Sequence, residues 1–213
     1  MTVKVTKPAV NLREELASLR NQGGYSEQQF YFDNLVTNGT FDSDLSGWVD
    51  TESFWAVSAG RAYHASSSAY NPLTWTLTAA GPFKLTFDSD SITATGTAHL
   101  LIDNVSTQLL ALGANSYSLA LSAGTSTVRF SREPGSTAEF YIDNVSVYET
   151  DGTDVVHRMP KGWVPKDVYE DGLLQREGAA HDYTVVYDGF DYYVKPTVTP
   201  SATTQTCVIG VKA

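Results

Sequence analysis

From Tyr31 to Thr150 the chain repeats one pattern: a short run in which apolar and polar side chains alternate, then a turn. Leu73-Thr-Trp75-Thr-Leu77-Thr and Phe83-Lys-Leu85-Thr-Phe87 show it most plainly. Ala98-His-Leu100-Leu-Ile102, Tyr117-Ser-Leu119-Ala-Leu121 and Thr127-Val-Arg-Phe130 follow the same rhythm. So does Phe140-Tyr-Ile142, which continues through Asp143-Asn144 into Val145-Ser-Val147-Tyr. A period of two sends successive side chains to opposite faces of a strand, so each run has one face to bury. Gly81-Pro82, Gly113, Gly124 and Pro134-Gly135 supply the breaks. Many short strands at this spacing predict two antiparallel sheets stacked face to face, a β-sandwich.

The flanks read differently. Asn11-Leu-Arg-Glu14 sets a capping residue before a carboxylate three positions on, close to a capping box. Leu12, Leu16 and Leu19 then form an apolar stripe on a short helix that stops before Gly23-Gly24. Such a helix falls below the ~12 to 15 residues that are marginally stable alone, so it must dock on its own chain or on a partner. After Asp151, two Asp-Gly pairs, Asp171-Gly172 and Asp188-Gly189, lie between extended runs and predict hairpins. Pro160, Pro165, Pro196 and Pro200 mark connections, and Cys207-Val-Ile-Gly-Val211 reads as a closing strand. The expected fold is mainly β: an N-terminal arm with a short helix over 1–30, a sandwich over 31–150 and a small β domain over 151–213. A unit of ~60 residues is marginal by itself, so it is expected to lean on the sandwich or on a neighbouring subunit. Ile-Asp-Asn-Val-Ser occurs at both 102–106 and 142–146. The first copy reads as strand, turn and strand and the second as the end of the β segment. Two copies do not make a repeat array.

Composition removes several function classes. With 24 acidic and 14 basic residues the net charge is −10, the wrong sign for displacing phosphate counterions from nucleic acid. The single cysteine, Cys207, rules out an internal disulfide and reads as a small buried hydrophobe. The first residues lack the apolar core of a signal peptide, and no apolar run approaches the ~18 residues of a membrane span. The expectation is a soluble protein made in a reducing compartment. Asn38, Asn104 and Asn144 head glycosylation triplets but read as turn residues in that setting. None of the four histidines, His64, His99, His157 and His181, lies in a catalytic motif. His181 and Asp182 are adjacent, which on a strand points them to opposite faces. Most acids sit in Asp-Gly, Asp-Asn or Asp-Ser turns, poor places for the raised carboxyl that glycoside hydrolysis needs. An enzyme is not expected.

Asn34-Leu-Val-Thr-Asn38-Gly39-Thr-Phe41-Asp42, followed by Leu45-Ser-Gly47-Trp48, resembles the opening signature of jelly-roll carbohydrate-binding modules of the family 4/9 type. Phe140-Tyr-Ile-Asp143-Asn144-Val-Ser-Val147 is similar to their last strand. The resemblance implies an antiparallel jelly-roll sandwich and a structural Ca²⁺ joining its first and last strands. The ligands so implied are Asp42 and Asp143, and Ca²⁺ would draw its other oxygens from carbonyls. The family position usually holds Glu where this chain has the shorter Asp42. Sugar binding needs exposed aromatic faces, and the candidates are Trp55, Tyr63, Tyr70 and Trp75, with Trp55 and Tyr70 foremost. Trp48 reads as core.

The flanks resemble a second context. Val-Thr-Lys-Pro8-Ala-Val-Asn11-Leu-Arg-Glu14 is similar to the starts of structural proteins from tailed bacteriophages, and Val168-Tyr-Glu-Asp-Gly172-Leu-Leu resembles small β units of their fibre and decoration proteins. These likenesses imply a non-enzymatic virion protein, of the capsid, a head fibre or a tail fibre. It would dock through Leu12, Leu16 and Leu19, form oligomers and touch host-surface glycans. The alternative is a free-standing glycan-binding module, or the accessory domain of a polysaccharide-degrading enzyme.

Overall fold

The computed structural model describes residues 27–32, 34–65, 70–77, 82–92, 97–124, 127–133 and 135–212. The expected helix and its leucines, Leu12, Leu16 and Leu19, lie outside the described residues. In chain order the strands begin with β1 (Glu27–Phe32), β2 (Trp55–Ser58), β3 (Arg61–His64), β4 (Leu73–Thr76) and β5 (Phe83–Ser91). Next come β6 (Ala98–Ile102), β7 (Val105–Leu110), β8 (Gly113–Leu121), β9 (Thr127–Arg132) and β10 (Phe140–Glu149). The C-terminal part adds β11 (His157–Arg158), β12 (Trp163–Glu170), β13 (Leu173–Leu174), β14 (Tyr183–Tyr187), β15 (Tyr192–Pro196) and β16 (Thr206–Lys212). The described residues contain no helix, and so none long and apolar enough to cross a membrane.

The sandwich stacks a five-stranded sheet, ordered β2-β3-β10-β5-β8, on a four-stranded sheet, ordered β4-β9-β6-β7. From β3 to β10 the chain changes sheet at every connection except the β6–β7 hairpin, the winding of a jelly roll. All the pairings between its strands are antiparallel. β5 shows why the sheets stack: Phe83, Leu85 and Phe87 are buried, while Lys84, Thr86, Asp88 and Asp90 between them are only partly so. Inward residues such as Leu73, Leu100, Phe130, Phe140 and Ile142 complete the core. Burying each large side chain is worth ~1.5–3 kcal/mol.

The opening signature is a clamp. The Asn34 carboxamide oxygen accepts the N–H groups of Val36 (3.0 Å) and Val147 (2.8 Å), and its nitrogen donates to the Val145 carbonyl (3.0 Å). Gly39 accepts the Val145 N–H at 2.9 Å, and a Cβ there would stand 2.0 Å from the Val145 oxygen. Only glycine permits that approach. The turn then buries Phe41 completely, 5.3 Å from the Trp48 ring, which in turn packs on Trp75 and Phe130.

The C-terminal unit has two sheets, β1-β16-β12-β13 and β11-β15-β14. β1 crosses the boundary expected at residues 30 and 31: it pairs with β16 from Glu27↔Val211 to Phe32↔Thr206. It brings Phe30 and Phe32 to a core of Met159, Val168, Tyr183, Val194 and Val208. The unit leans on its own sandwich, where Tyr148 donates its hydroxyl to the Ser201 carbonyl at 2.6 Å. Asp171-Gly172 makes the expected two-residue turn, both residues at positive φ. The Asp188-Gly189 hairpin instead has a four-residue loop, because Tyr187 pairs with Tyr192 while the Asp188 carboxylate caps the N–H groups of Phe190 and Asp191. Cys207 departs from its expected full burial: β16 alternation turns it outward between Tyr31 and Tyr169, where it is partly buried.

Candidate functional site

Two of the four aromatic candidates belong to the core, a correction that alternation explains. Trp55 is 5% exposed; its indole N–H donates to the Asn71 carbonyl at 3.0 Å and its ring meets His64 and Phe140 edge-on. Trp75, at 6%, faces inward against Trp48. Neither can offer a ring face without unpacking the sandwich. Tyr70 is 41% exposed but lines neither hollow described below. Tyr63 points outward from β3, and its ring lies 4.8 Å from that of Tyr141, its register partner on β10. Its hydroxyl donates to Glu139, which together with part-burial pushes the phenol up to about 12.

That tyrosine pair opens a polar face on the outer side of the five-stranded sheet. Arg61, two residues before Tyr63 and so on the same face, holds its guanidinium 4.0 Å from the Tyr141 ring centre and 3.3 Å from the Asp90 carboxylate. The pair is about one-third exposed, a setting in which an ion pair adds little stability. Asp88 and Asp143 face each other directly across β5 and β10. Like charges so placed are destabilising. The sheet answers with donors: Ser116 gives its hydroxyl to Asp88 at 2.5 Å, Asn144 gives its amide nitrogen to the other Asp88 oxygen at 2.8 Å, and the Asn144 N–H reaches Asp143 at 2.7 Å. Burial, with the charges of Asp88 and Asp42 adding to it, pushes the Asp143 carboxyl above its ordinary range, against the Asn144 N–H and Arg61. A β-bulge after Asp143, with Asn144 at φ 51°, brings Asn144 to this face. Together Arg61, Asp88, Asp90, Ser116, Tyr141 and Asp143 line a hollow of about 350 Å³.

Asp42 is exposed, its carboxylate taking the Thr40 hydroxyl at 3.0 Å, and it lies near enough to Asp143 to raise it. Among the described residues no three His, Cys, Asp or Glu side chains gather to hold a metal, so a cation here would rely on carbonyl oxygens as well. Burial pushes His64, His99 and His157 down, leaving them neutral core rings. Asp182 is tied to Arg176 rather than to its neighbour His181. The sequence reading missed Arg61, Tyr141, Asp88 and Asp90. Alternation held the signal: with Phe87 and Phe140 inward, Asp88 and Tyr141 must face out.

No protein-family model and no curated protein matches the chain. Solved structures similar to it include carbohydrate-binding modules. A mutant of a family 29 module is 12% identical, covering 57% of this chain and 91% of its own, with a TM-score of 0.41. A family 16 module is 15% identical over 55% and 100%, at 0.40. A family 4 module is 16% identical over 54% and 99%, at 0.38.

Proposed function

We propose that this chain is a non-catalytic glycan-binding protein whose ligand lies on the outer face of the five-stranded sheet. The observation that carries the reading is the Tyr63–Tyr141 pair, set beside Arg61 and the carboxylates of Asp88, Asp90 and Asp143. A pyranose has an apolar face of C–H groups and a rim of hydroxyls. Aromatic rings suit the first, and planar charged groups with paired donors or acceptors suit the second. Because three carboxylates outnumber the one guanidinium, and the chain carries −10 overall, a neutral glycan fits better than an anionic one.

Asp143 does carry a raised carboxyl, but catalysis fits less well because both oxygens of Asp88, the carboxylate facing it, are already engaged, by Ser116 and Asn144. Docking on a phage particle rests on leucines outside the described residues, and no feature of the described site favours it over glycan binding. Calcium between Asp42 and Asp143 is a separate proposal that stands on the likeness of these two positions to the module signature, since Asp42 is the smallest of the influences on Asp143. The test of the main reading is affinity electrophoresis through gels holding neutral polysaccharides, with an assay for reducing ends on the same samples. Retardation without release of reducing ends is expected. Migration unchanged in every gel would refute binding, and released ends would refute the non-catalytic reading.

A further inference from the structure

We propose that Thr199–Thr203 of the C-terminal unit form the far wall of this site, so that the ligand is an extended glycan chain touching both units. The inference rests on the glycan-binding reading and adds to it the length of the ligand and the part played by the second unit.

A second hollow, of about 620 Å³, continues the first along β5 and β8, and the two share Asp88 and Ser116. The outward residues of β5 run Asp90, Asp88, Thr86, Lys84, six residue steps and so ~20 Å of strand. One side of the second hollow is sheet, with Thr86 and Ser118; the other is the loop, with Thr199, Ser201 and Thr203. Three contacts seat that loop. Lys84 Nζ donates to Thr199 Oγ1 at 3.1 Å, Tyr148 donates to the Ser201 carbonyl at 2.6 Å, and Asn34 Nδ2 reaches the Ala202 carbonyl at 3.4 Å. Within the loop the Thr204 hydroxyl accepts the Ser201 N–H at 3.1 Å. A wall already fixed costs little further ordering when a ligand arrives.

The two halves differ in chemistry. The first offers an aromatic ring and charged forks; the second sets the hydroxyls of Thr86, Ser118 and Thr203 beside the apolar surface of Tyr117 and Pro200, with the Lys84 ammonium already turned to Thr199. A chain that sets one sugar against the exposed side of the Tyr63–Tyr141 pair and the Arg61 fork can therefore lay its following sugars between β8 and the loop. A single sugar or a chain end would leave the second half unused.

The experiment is calorimetric titration of the full chain with cello-, xylo- and manno-oligosaccharides of two and of six sugars. It is repeated on Thr203→Met, which narrows the second hollow from the loop side without adding an aromatic face for a sugar to stack on. For the series that binds, the six-sugar oligomer is expected to bind the wild type at least about tenfold more tightly than the disaccharide. In Thr203→Met that gain is expected to fall away while disaccharide affinity, which rests on the first hollow, stays the same. Ser118→Met, at an exposed position on the opposite wall, gives the same readout if Thr203→Met does not fold. Equal affinity for both lengths in the wild type, or a length gain that survives in the folded variants, overturns the inference and leaves glycan binding standing. Absence of binding by any oligomer of any series overturns both.

Discussion

Replacing Asn34 by alanine removes the centre of the clamp that joins the start of the sandwich to its last strand. Three hydrogen bonds of 2.8–3.0 Å are lost at once, to Val36 N, Val147 N and Val145 O. The N–H of Val147 and the carbonyl of Val145 are then left unpartnered in a part-buried setting. Each such orphan costs ~1–3 kcal/mol, and since water can reach part of this site the sum is roughly 2–4 kcal/mol. For a chain of this size that lowers the melting midpoint by ~2–4 °C per kcal/mol. Asn34→Asp keeps an acceptor for the two N–H groups but sets a second acceptor against the Val145 carbonyl, so it is expected to be destabilised at neutral pH and to regain ground as the new carboxyl protonates. Urea denaturation of the three proteins, read by tryptophan fluorescence, gives the differences directly. A loss under about 0.5 kcal/mol for Asn34→Ala, the size of an ordinary surface change, would refute the clamp.

Gly39→Ala is expected to be at least as damaging as Asn34→Ala, because its Cβ would meet backbone at 2.0 Å; wild-type stability in the same denaturation series would contradict the close approach. His157 is buried against Phe32 and Tyr148, and burial lowers it from 6.5 to about 4. The unfolded chain therefore binds the extra proton first, so this stability is full above pH 6.5 and is lost as pH falls toward 4, by about 3 kcal/mol. Denaturation of wild type and His157→Phe across pH 4–7 checks this, since the variant should lose less; parallel curves would contradict it. Millimolar Ca²⁺ is expected to raise the melting midpoint of the wild type and not that of Asp143→Asn, and an unchanged wild-type midpoint removes calcium from the account.

The sandwich was legible because its strands bury one face each, and a period of two survives in sequence. The pentapeptide Ile-Asp-Asn-Val-Ser marks where that legibility stops. At 102–106 both Asp103 and Asn104 take positive φ and turn β6 into β7. At 142–146 only Asn144 does, and the same five residues make a bulge inside β10. Neighbours decide: the second copy is held by Asp88 on β5 and by Gly39 and Asn34 from more than 100 residues away. The tyrosine face was half legible. Tyr63 could be picked out as an aromatic, whereas Arg61, Asp88, Asp90 and Tyr141 gather only when β3, β10 and β5 pair. Trp55 misled because its run is short, so its inward position depends on pairing with His64. β1 was hidden for the same reason, its partner β16 lying at the other end of the chain.

The central claim is that the outward tyrosines beside Arg61 hold a sugar. Titration of the polysaccharide retained in the gels into wild type, Tyr141→Ala and Tyr70→Ala tests it most directly. The account expects heat of binding from wild type and Tyr70→Ala alike, and at least a tenfold loss of affinity, about 1.4 kcal/mol, for a folded Tyr141→Ala. Undiminished binding by Tyr141→Ala would contradict it.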